Sequence, residues 1–184
     1  FRKAMWVYDK QIFSNPDERT GILNFCKEND IDVLAVSIGG SEDSESLFQN
    51  GDAYADFFLA ARNEGIHIHA LVGDASWCRK ERYNEIIRRM ESLSDFYQKK
   101  FRFDGVHFDI EPQALPEWDT PAQRSELVER YPSLLDELAK LCKKSMSGVA
   151  IAADVPAWFE NQRNESWTQD DNLLTRVFEC VDEV

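Results

Sequence analysis

The segment from Gly105 to Pro112 carries the most chemically suggestive pattern in the chain, because polar and apolar residues alternate along it. Side chains alternate across a β-strand, so His107, Asp109 and Glu111 share one face of the strand predicted here. Three ionisable groups on one face are costly to bury unless they are paired or functional. Neighbouring carboxyl groups of this kind are typical of acid–base catalysis. The pattern predicts a catalytic site or, alternatively, a structural hydrogen-bond network.

Glu111 is the predicted proton donor of this site. A Glu beside an Asp in a partly desolvated site binds its proton more tightly, which suits an acid that works near neutral pH. Asp154 ends the fifth β-rich run and is the candidate second carboxylate. In a conventional retaining mechanism with two carboxylates it would pair with Glu111 if their carboxyl groups lay about 5–5.5 Å apart. A loop anchor or helix cap is the alternative role for Asp154.

Further polar and aromatic residues follow the other β-rich runs. Sugar rings present C–H groups to aromatic faces, so tryptophans in such loops suit glycan binding, although each one suits packing equally well. An Asp in such a loop is also a common helix cap or turn residue. We predict that six residues of this kind contact substrate: Tyr8, His69, Asp74, Trp77, Trp118 and Trp158.

The elements that position these residues alternate between short β-rich runs and longer amphipathic stretches. This alternation is typical of βαβ units and a parallel sheet. We predict an α/β fold of the (β/α)8 TIM-barrel type, incomplete, with five strand–helix units and the start of a sixth strand at 181–184, because a whole barrel takes about 250 residues. The predicted strands are Ala4–Asp9, Ile31–Ile38, Ile66–Val72, Gly105–Pro112 and Gly148–Asp154.

Helix boundaries are marked by capping residues and prolines. Asn15 followed by Pro16 predicts a helix start, and Thr120 with Gln123 matches a capping box in front of a second helix. Pro132 lies inside the apolar pattern of that second helix, so we expect the helix to kink or restart there.

Composition limits the classes of function. The chain has 184 residues, of which 43% are hydrophobic and 30% charged, and shows no linker or internal repeat, so we predict one domain over residues 1–184. The net charge of −13 disfavours nucleic-acid binding. No apolar run approaches the roughly 20 residues of a membrane span. Because the chain begins with Phe1, we interpret it as a processed or excised segment.

Cofactor and metal signatures are missing from the sequence. No G-x-G-x-x-G follows the first strand and no G-x-x-x-x-G-K-[ST] occurs, so we predict no nucleotide cofactor. The four cysteines form no C-x-x-C pair, and we expect small buried side chains in preference to disulfides. The leading hypothesis requires no metal.

The run Asp104–Glu111, with the sequence D-G-V-H-F-D-I-E, resembles the D-G-x-D-x-D-x-E strand of the family 18 chitinases and their relatives. This resemblance implies that Glu111 protonates the glycosidic oxygen. It also implies that Asp109 orients an N-acetyl group, whose carbonyl oxygen acts as the nucleophile, and stabilises the oxazolinium ion that forms. A glycan substrate and an extracytoplasmic location are further implications.

The chain departs from the family pattern at two places. His107 stands where the family has its first interior Asp, which shares a proton with the next one. The letters of the family's S-x-G-G motif occur at Ser37–Gly40, but they end the second predicted strand instead of the third. The family's catalytic Tyr on the sixth strand would fall beyond Val184.

Two other functions remain open from the residues alone. His67 and His69 on the third run, with the His and carboxylates of the fourth, suit a divalent metal site of a hydrolase or phosphodiesterase. Replacement of the interior Asp by His107 also suits a barrel that binds a glycan without cleaving it.

Overall fold

A computed structural model describes residues 2–40 and 43–184 of the chain. Five strands and six α-helices alternate along these residues, with short 3₁₀-helices in the loops. The strands are β1 (Ala4–Val7), β2 (Val33–Ser37), β3 (His67–Val72), β4 (Gly105–Phe108) and β5 (Ala150–Ala153). The helices are α1 (Gln11–Ser14), α2 (Pro16–Glu28), α3 (Gly51–Asn63), α4 (Tyr83–Lys99), α5 (Pro121–Ser145) and α6 (Leu173–Phe178).

The strands form one parallel sheet in the order β1-β2-β3-β4-β5. Ala4 lies opposite Val33 in β2, and Val33 lies opposite His67 in β3. An isolated parallel bridge joins Ala152 of β5 to Glu183, where a sixth strand was predicted to begin. A parallel α/β sheet of TIM-barrel type and the start of a sixth strand are thereby confirmed.

The chain packs as two compact units. The first contains residues 2–40, 43–72 and 91–106, and the second contains residues 73–90 and 107–184. Apolar side chains from strands and helices bury the centre of each unit. Among those with at most 2% exposure in the first unit are Leu34, Phe57, Ile68 and Leu93; in the second they include Ile86, Leu135, Ile151 and Leu173.

All five strands are shorter than the sequence predicted, and the early ends of two of them bear on the site. β1 ends at Val7 instead of Asp9, and β4 ends at Phe108 instead of Pro112. A 3₁₀-helix begins at Pro112, whose nitrogen carries no hydrogen for a sheet ladder. Asp109 and Glu111 therefore belong to the segment that leaves β4, which corrects their predicted place within the strand.

The predicted helix starts are confirmed, but the predicted capping box is wrong. Asn15 caps α2 by accepting a hydrogen bond from the backbone N–H of Asp17 at 3.0 Å. Thr120 precedes α5 without a side-chain cap, so the predicted capping box does not form. Helix α5 runs through Pro132 without a restart, so the expected kink is the part that stays a prediction.

An aspartate near the start of every second strand exchanges two hydrogen bonds with the backbone of the preceding strand, an arrangement that we call a carboxylate clamp. The backbone N–H of Asp32 donates to the Lys3 carbonyl at 2.8 Å, and its carboxylate accepts the Lys3 N–H at 2.8 Å. Asp104 makes the same reciprocal pair with Ile68, at 2.7 and 2.9 Å. Asp182 makes it with Ile151, again at 2.7 and 2.9 Å. Each clamp supplies a backbone donor with a partner where a strand begins.

The four cysteines are free, as expected; Cys26, Cys78 and Cys142 are buried, and Cys180 is half-buried. Burial raises the pKa of Cys78 to about 12, against the opposing effect of Arg130, so this thiol is unreactive at neutral pH. None of the helices in residues 2–40 and 43–184 has the length and apolar character to cross a bilayer.

Candidate active site

The alternating pattern of β4 reappears in the burial of its side chains. The apolar members are at most 1% exposed; they are Val106, Phe108 and Ile110. Exposure of the polar members increases along the chain, from His107 at 8% through half-buried Asp109 to exposed Glu111. The polar face therefore opens to solvent toward the carboxyl end of the strand, which is the end where TIM-barrel sites are built.

His107 and Asp154 form a pair between the ends of β4 and β5. The imidazole Nε2 lies 3.1 Å from Asp154 Oδ1, and the Asp154 side chain is 28% exposed. The backbone N–H of Asp154 also donates to the Phe108 carbonyl at 2.9 Å, which fixes its position beside β4. The structure thus brings together two of the four predicted catalytic residues.

Asp109 is held by a close approach of backbone to backbone. A Cβ atom at Gly73 would lie 2.1 Å from the carbonyl oxygen of Asp109, far inside van der Waals contact. Only glycine allows this approach, so Gly73 and the segment after β4 fit each other closely. The backbone that carries the half-buried Asp109 side chain is consequently fixed in position.

Glu111 lies where the chain turns into the 3₁₀-helix Pro112–Ala114. Its side chain is exposed, which corrects the expectation of a partly desolvated acid. The Gln113 side-chain amide donates from Nε2 to Glu111 Oε1 at 3.2 Å. The Glu111 carboxyl group is therefore accessible from solvent and contacts a neutral partner.

An aromatic cluster lies in the loops after β4 and β5. The rings of Trp118 and Trp158 are 5.9 Å apart and inclined at 72°, and Phe159 lies edge-on to Trp158 at 4.9 Å. Trp118 is 9% exposed, whereas Trp158 is 43% exposed. Trp158 is therefore an exposed indole in contact with two buried rings, and its predicted contact with substrate stays a prediction.

Trp77 and Asp74 occupy the loop after β3. Trp77 is 2% exposed, and the Arg89 guanidinium lies 5.6 Å from its ring centroid. Asp74 accepts the backbone N–H of Ser76 at 2.9 Å and caps the 3₁₀-helix Ala75–Cys78. These contacts provide structural roles for both residues, and their predicted contact with substrate stays a prediction.

The remaining predicted residues, Tyr8 and His69, belong to the first unit. Tyr8 is 56% exposed after the end of β1, whereas His69 is 1% exposed within β3. A Cβ atom at Gly105 would lie 2.6 Å from the His69 ring, so glycine makes space for the imidazole. His69 consequently fills the interior of its unit, and its contact with substrate also stays a prediction.

Two residues near the site were not predicted. Gln113 contacts Glu111, and Tyr131 of α5 is fully buried with no hydrogen-bond partner for its hydroxyl among the described residues. Burial raises the pKa of Tyr131, and the charges of Asp154 and Asp109 raise it further. The sequence did not point to Tyr131, because it looks like any other residue on the apolar face of α5. It did not point to Gln113, because that residue belongs to no periodic pattern.

Metal-binding geometry does not appear in the part of the chain that the structure describes. Within residues 2–40 and 43–184, no group of three or more His, Cys, Asp or Glu side chains is placed to hold a metal ion.

The chain has an α/β fold of TIM-barrel type with the candidate site at the carboxyl ends of β4 and β5. It is similar to the crystal structure of β-1,4-D-mannanase from Cryptopygus antarcticus, with a TM-score of 0.58 at 10% identity over 92% of this chain. It is also similar to endo-1,4-β-mannanase from Eisenia fetida, with a TM-score of 0.52 at 10% identity over 92% of this chain. The fold is thus shared with TIM-barrel glycoside hydrolases.

The chain spans about 60% of the length of these two mannanases. No protein-family model matches the sequence. No curated protein matches it either.

Proposed function

We propose that the chain carries the catalytic residues of a glycoside hydrolase that cleaves O-glycosidic bonds, with Glu111 as the general acid. The observation that supports this proposal most directly is the juxtaposition at the ends of β4 and β5. There Asp109 and Glu111 follow one strand, and Asp154 follows the next and contacts His107 at 3.1 Å. Catalytic groups of TIM-barrel enzymes come from the carboxyl ends of several strands.

Glu111 suits the role of acid through its position. It is exposed beyond β4, so its carboxyl group can transfer a proton to the glycosidic oxygen as the bond to the anomeric carbon breaks. The leaving sugar departs with that proton as its new hydroxyl group. Water later returns a proton to Glu111 and a hydroxyl group to the anomeric carbon.

Asp109 is the orienting or stabilising carboxylate in this proposal. The motif resemblance to family 18 chitinases supports a substrate-assisted reaction, in which an N-acetyl oxygen attacks the anomeric carbon and Asp109 stabilises the positive oxazolinium ion. Its fixed backbone beside Gly73 suits this role, because electrostatic stabilisation requires a group that does not reorganise.

Asp154 and His107 support the site as a pair. A carboxylate next to an imidazole holds the ring in one orientation, and the ring in turn fixes the carboxylate. In the conventional alternative, Asp154 is the nucleophile and attacks the anomeric carbon through the oxygen that His107 does not contact. The motif resemblance favours the substrate-assisted reaction, so we assign Asp154 and His107 a positioning role.

The substrate class follows from charge and aromatic surface. A net charge of −13 disfavours polyanionic glycans, and the exposed Trp158 offers a face to the C–H groups of a pyranose. Neutral or N-acetylated oligosaccharides fit both features. The β-1,4-mannanases that share the fold make mannan oligosaccharides a reasonable second set of substrates to test.

A glycan-binding barrel without turnover is the second candidate. The observation in its favour is His107, which stands in place of the interior Asp of the family 18 chitinases and contacts Asp154 at 3.1 Å. Binding of an oligosaccharide with no product after long incubation would support it.

The test is Glu111→Gln in the full-length protein, assayed on chitin and β-1,4-mannan oligosaccharides. We expect kcat/KM to fall by about 100-fold or more, because a positioned general acid contributes about 10²–10⁴. Glu126→Gln, an exposed glutamate of α5, is the matched control and should retain full activity. Hydrolysis that survives in the Glu111→Gln variant would exclude Glu111 as the acid.

A further inference from the structure

The contact between Gln113 and Glu111 is a feature that the proposed function does not use. The two residues are separated only by Pro112, and the amide Nε2 lies 3.2 Å from Glu111 Oε1. Because the two residues are so close in sequence, the backbone conformation of 111–113 sets the distance between their side chains. The backbone between them therefore decides whether the contact persists.

The turn between them is rigid. Pro112 is buried and begins a 3₁₀-helix, and its ring fixes one backbone dihedral angle. The Ala114 N–H donates to the Glu111 carbonyl at 3.0 Å, and the Leu115 N–H donates to the Pro112 carbonyl at 3.2 Å. These bonds place the Gln113 side chain beside Glu111 with little freedom in the main chain.

The other end of the same amide has no structural partner. Gln113 Oε1 is buried, and among the described residues no donor reaches it. A buried acceptor without a donor costs free energy, so this oxygen gives the fold no stabilising hydrogen bond. The contact that remains is the one with Glu111. The hydrogen bonding of this amide is therefore directed to Glu111 and not to the core.

We propose that Gln113 is a positioning residue for the general acid, an inference that rests on the proposed role of Glu111. The amide restrains the Glu111 carboxyl group at the strand exit so that its proton points toward the glycosidic oxygen. Asp109, at the exit of the same strand, carries the charge-stabilising role in the proposed reaction, and Gln113 contributes no charge of its own.

The amide is chemically suited to both protonation states of an acid catalyst. Through Nε2 it donates to the carboxylate, as observed. Turned by 180°, it presents Oε1, which accepts the hydrogen of the protonated acid. A neutral partner that can donate or accept holds the group through the whole cycle without removing its proton.

The experiment is Gln113→Met in the full-length protein, with kcat, KM and the pH profile of kcat/KM measured on chitin and β-1,4-mannan oligosaccharides. Methionine keeps the length of the side chain and removes the amide. We expect kcat to fall about tenfold with KM changed less than twofold, since lost orientation slows the chemical step. Because a donor to a carboxylate favours its charged form, its loss moves the alkaline limb of kcat/KM to higher pH.

Gln113→Glu sharpens the result. A second carboxylate beside Glu111 disfavours its ionisation, so the alkaline limb moves further upward than in Gln113→Met. Gln123→Met, in the first turn of α5, is the matched control and leaves kcat and the pH profile at the wild-type values. Thermal unfolding of Gln113→Met should occur at or above the wild-type midpoint, because the variant removes a buried acceptor that has no donor.

Wild-type kcat and an unmoved alkaline limb in Gln113→Met, together with an inactive Glu111→Gln variant, would overturn the role of Gln113 and leave the proposed function intact. Full activity in Glu111→Gln would overturn the proposed function first, and the role of Gln113 in catalysis with it. A lowered unfolding midpoint in Gln113→Met with unchanged kinetics would also overturn the proposal, because it would assign the amide to the fold.

Discussion

Carboxylates lie at both ends of the strands, but the groups that they contact differ between the two ends. At the amino ends, Asp32, Asp104 and Asp182 each accept a backbone N–H at 2.8–2.9 Å and return one from their own backbone. At the carboxyl ends, Asp154 contacts an imidazole and Glu111 a side-chain amide. The first set completes the sheet, whereas the second faces side chains and solvent. Asp74, after β3, also accepts a backbone N–H, so this difference separates the carboxylates that complete the sheet from those of the candidate site only at the ends of β4 and β5.

The largest expected effect of this difference is on activity at the carboxyl ends. Asp109→Asn keeps the size of the side chain and removes its charge, so kcat should fall about 100-fold through lost electrostatic stabilisation. The unfolding free energy should change by less than about 0.5 kcal/mol, because a substitution that preserves shape disturbs packing little. Steady-state kinetics and urea unfolding measure the two quantities. Asp170→Asn, at an exposed loop position, is the control, and a stability loss without an activity loss would place Asp109 among the structural carboxylates.

Asp104→Ala should show the opposite combination. The variant leaves the Ile68 N–H without its acceptor in a partly buried place and removes contacts with Arg62 at 3.6 Å and His67 at 3.5 Å. We expect a loss of about 2 kcal/mol in unfolding free energy and an unchanged kcat in the folded protein. Asp95→Ala removes only an exposed i,i+4 pair with Lys99, so it should cost less than about 0.5 kcal/mol. Equal stability of the two variants would contradict the clamp.

The sequence predicted the elements and the alternation on β4 well, because both depend on local periodicity. It did not predict the contact between His107 and Asp154, since that contact depends on how β4 and β5 align. The burial of Trp77 and the exposure of Trp158 could not be predicted either, because residues in loops follow no periodic pattern from which burial can be inferred. Glu111 was assigned to the strand because alternation continues past the residue where the backbone turns away.

The clamps were also missed. Each is marked only by an Asp close before a valine near the start of a strand, as in Asp32–Val33, and so short a pattern recurs by chance. What identifies it is the pair of reciprocal backbone bonds, which a sequence does not display.

The smallest expected effect is a dependence of stability on pH at the third clamp. Burial raises the pKa of Asp182, but hydrogen bonds from Lys143 and the Ile151 N–H outweigh burial and hold this pKa below its usual value. This stabilisation is fully present above the unfolded pKa of about 3.9 and is lost as pH falls through the lower folded value. Asp182→Asn should therefore cost only about 0.5 kcal/mol at pH 7, given solvent screening. Urea unfolding between pH 7 and pH 2 should show wild type and variant converging in acid; a constant gap would contradict this account.

The clamps join β1 to β2, β3 to β4, and β5 to the strand that begins at Asp182. This spacing makes a strand–helix–strand segment the recurring building block of the sheet. Duplication and fusion of such a segment would propagate the locking aspartate automatically, whereas the groups at the opposite rim remain free to diverge. Exchange of such a segment with another barrel would carry each aspartate and its partner strand together.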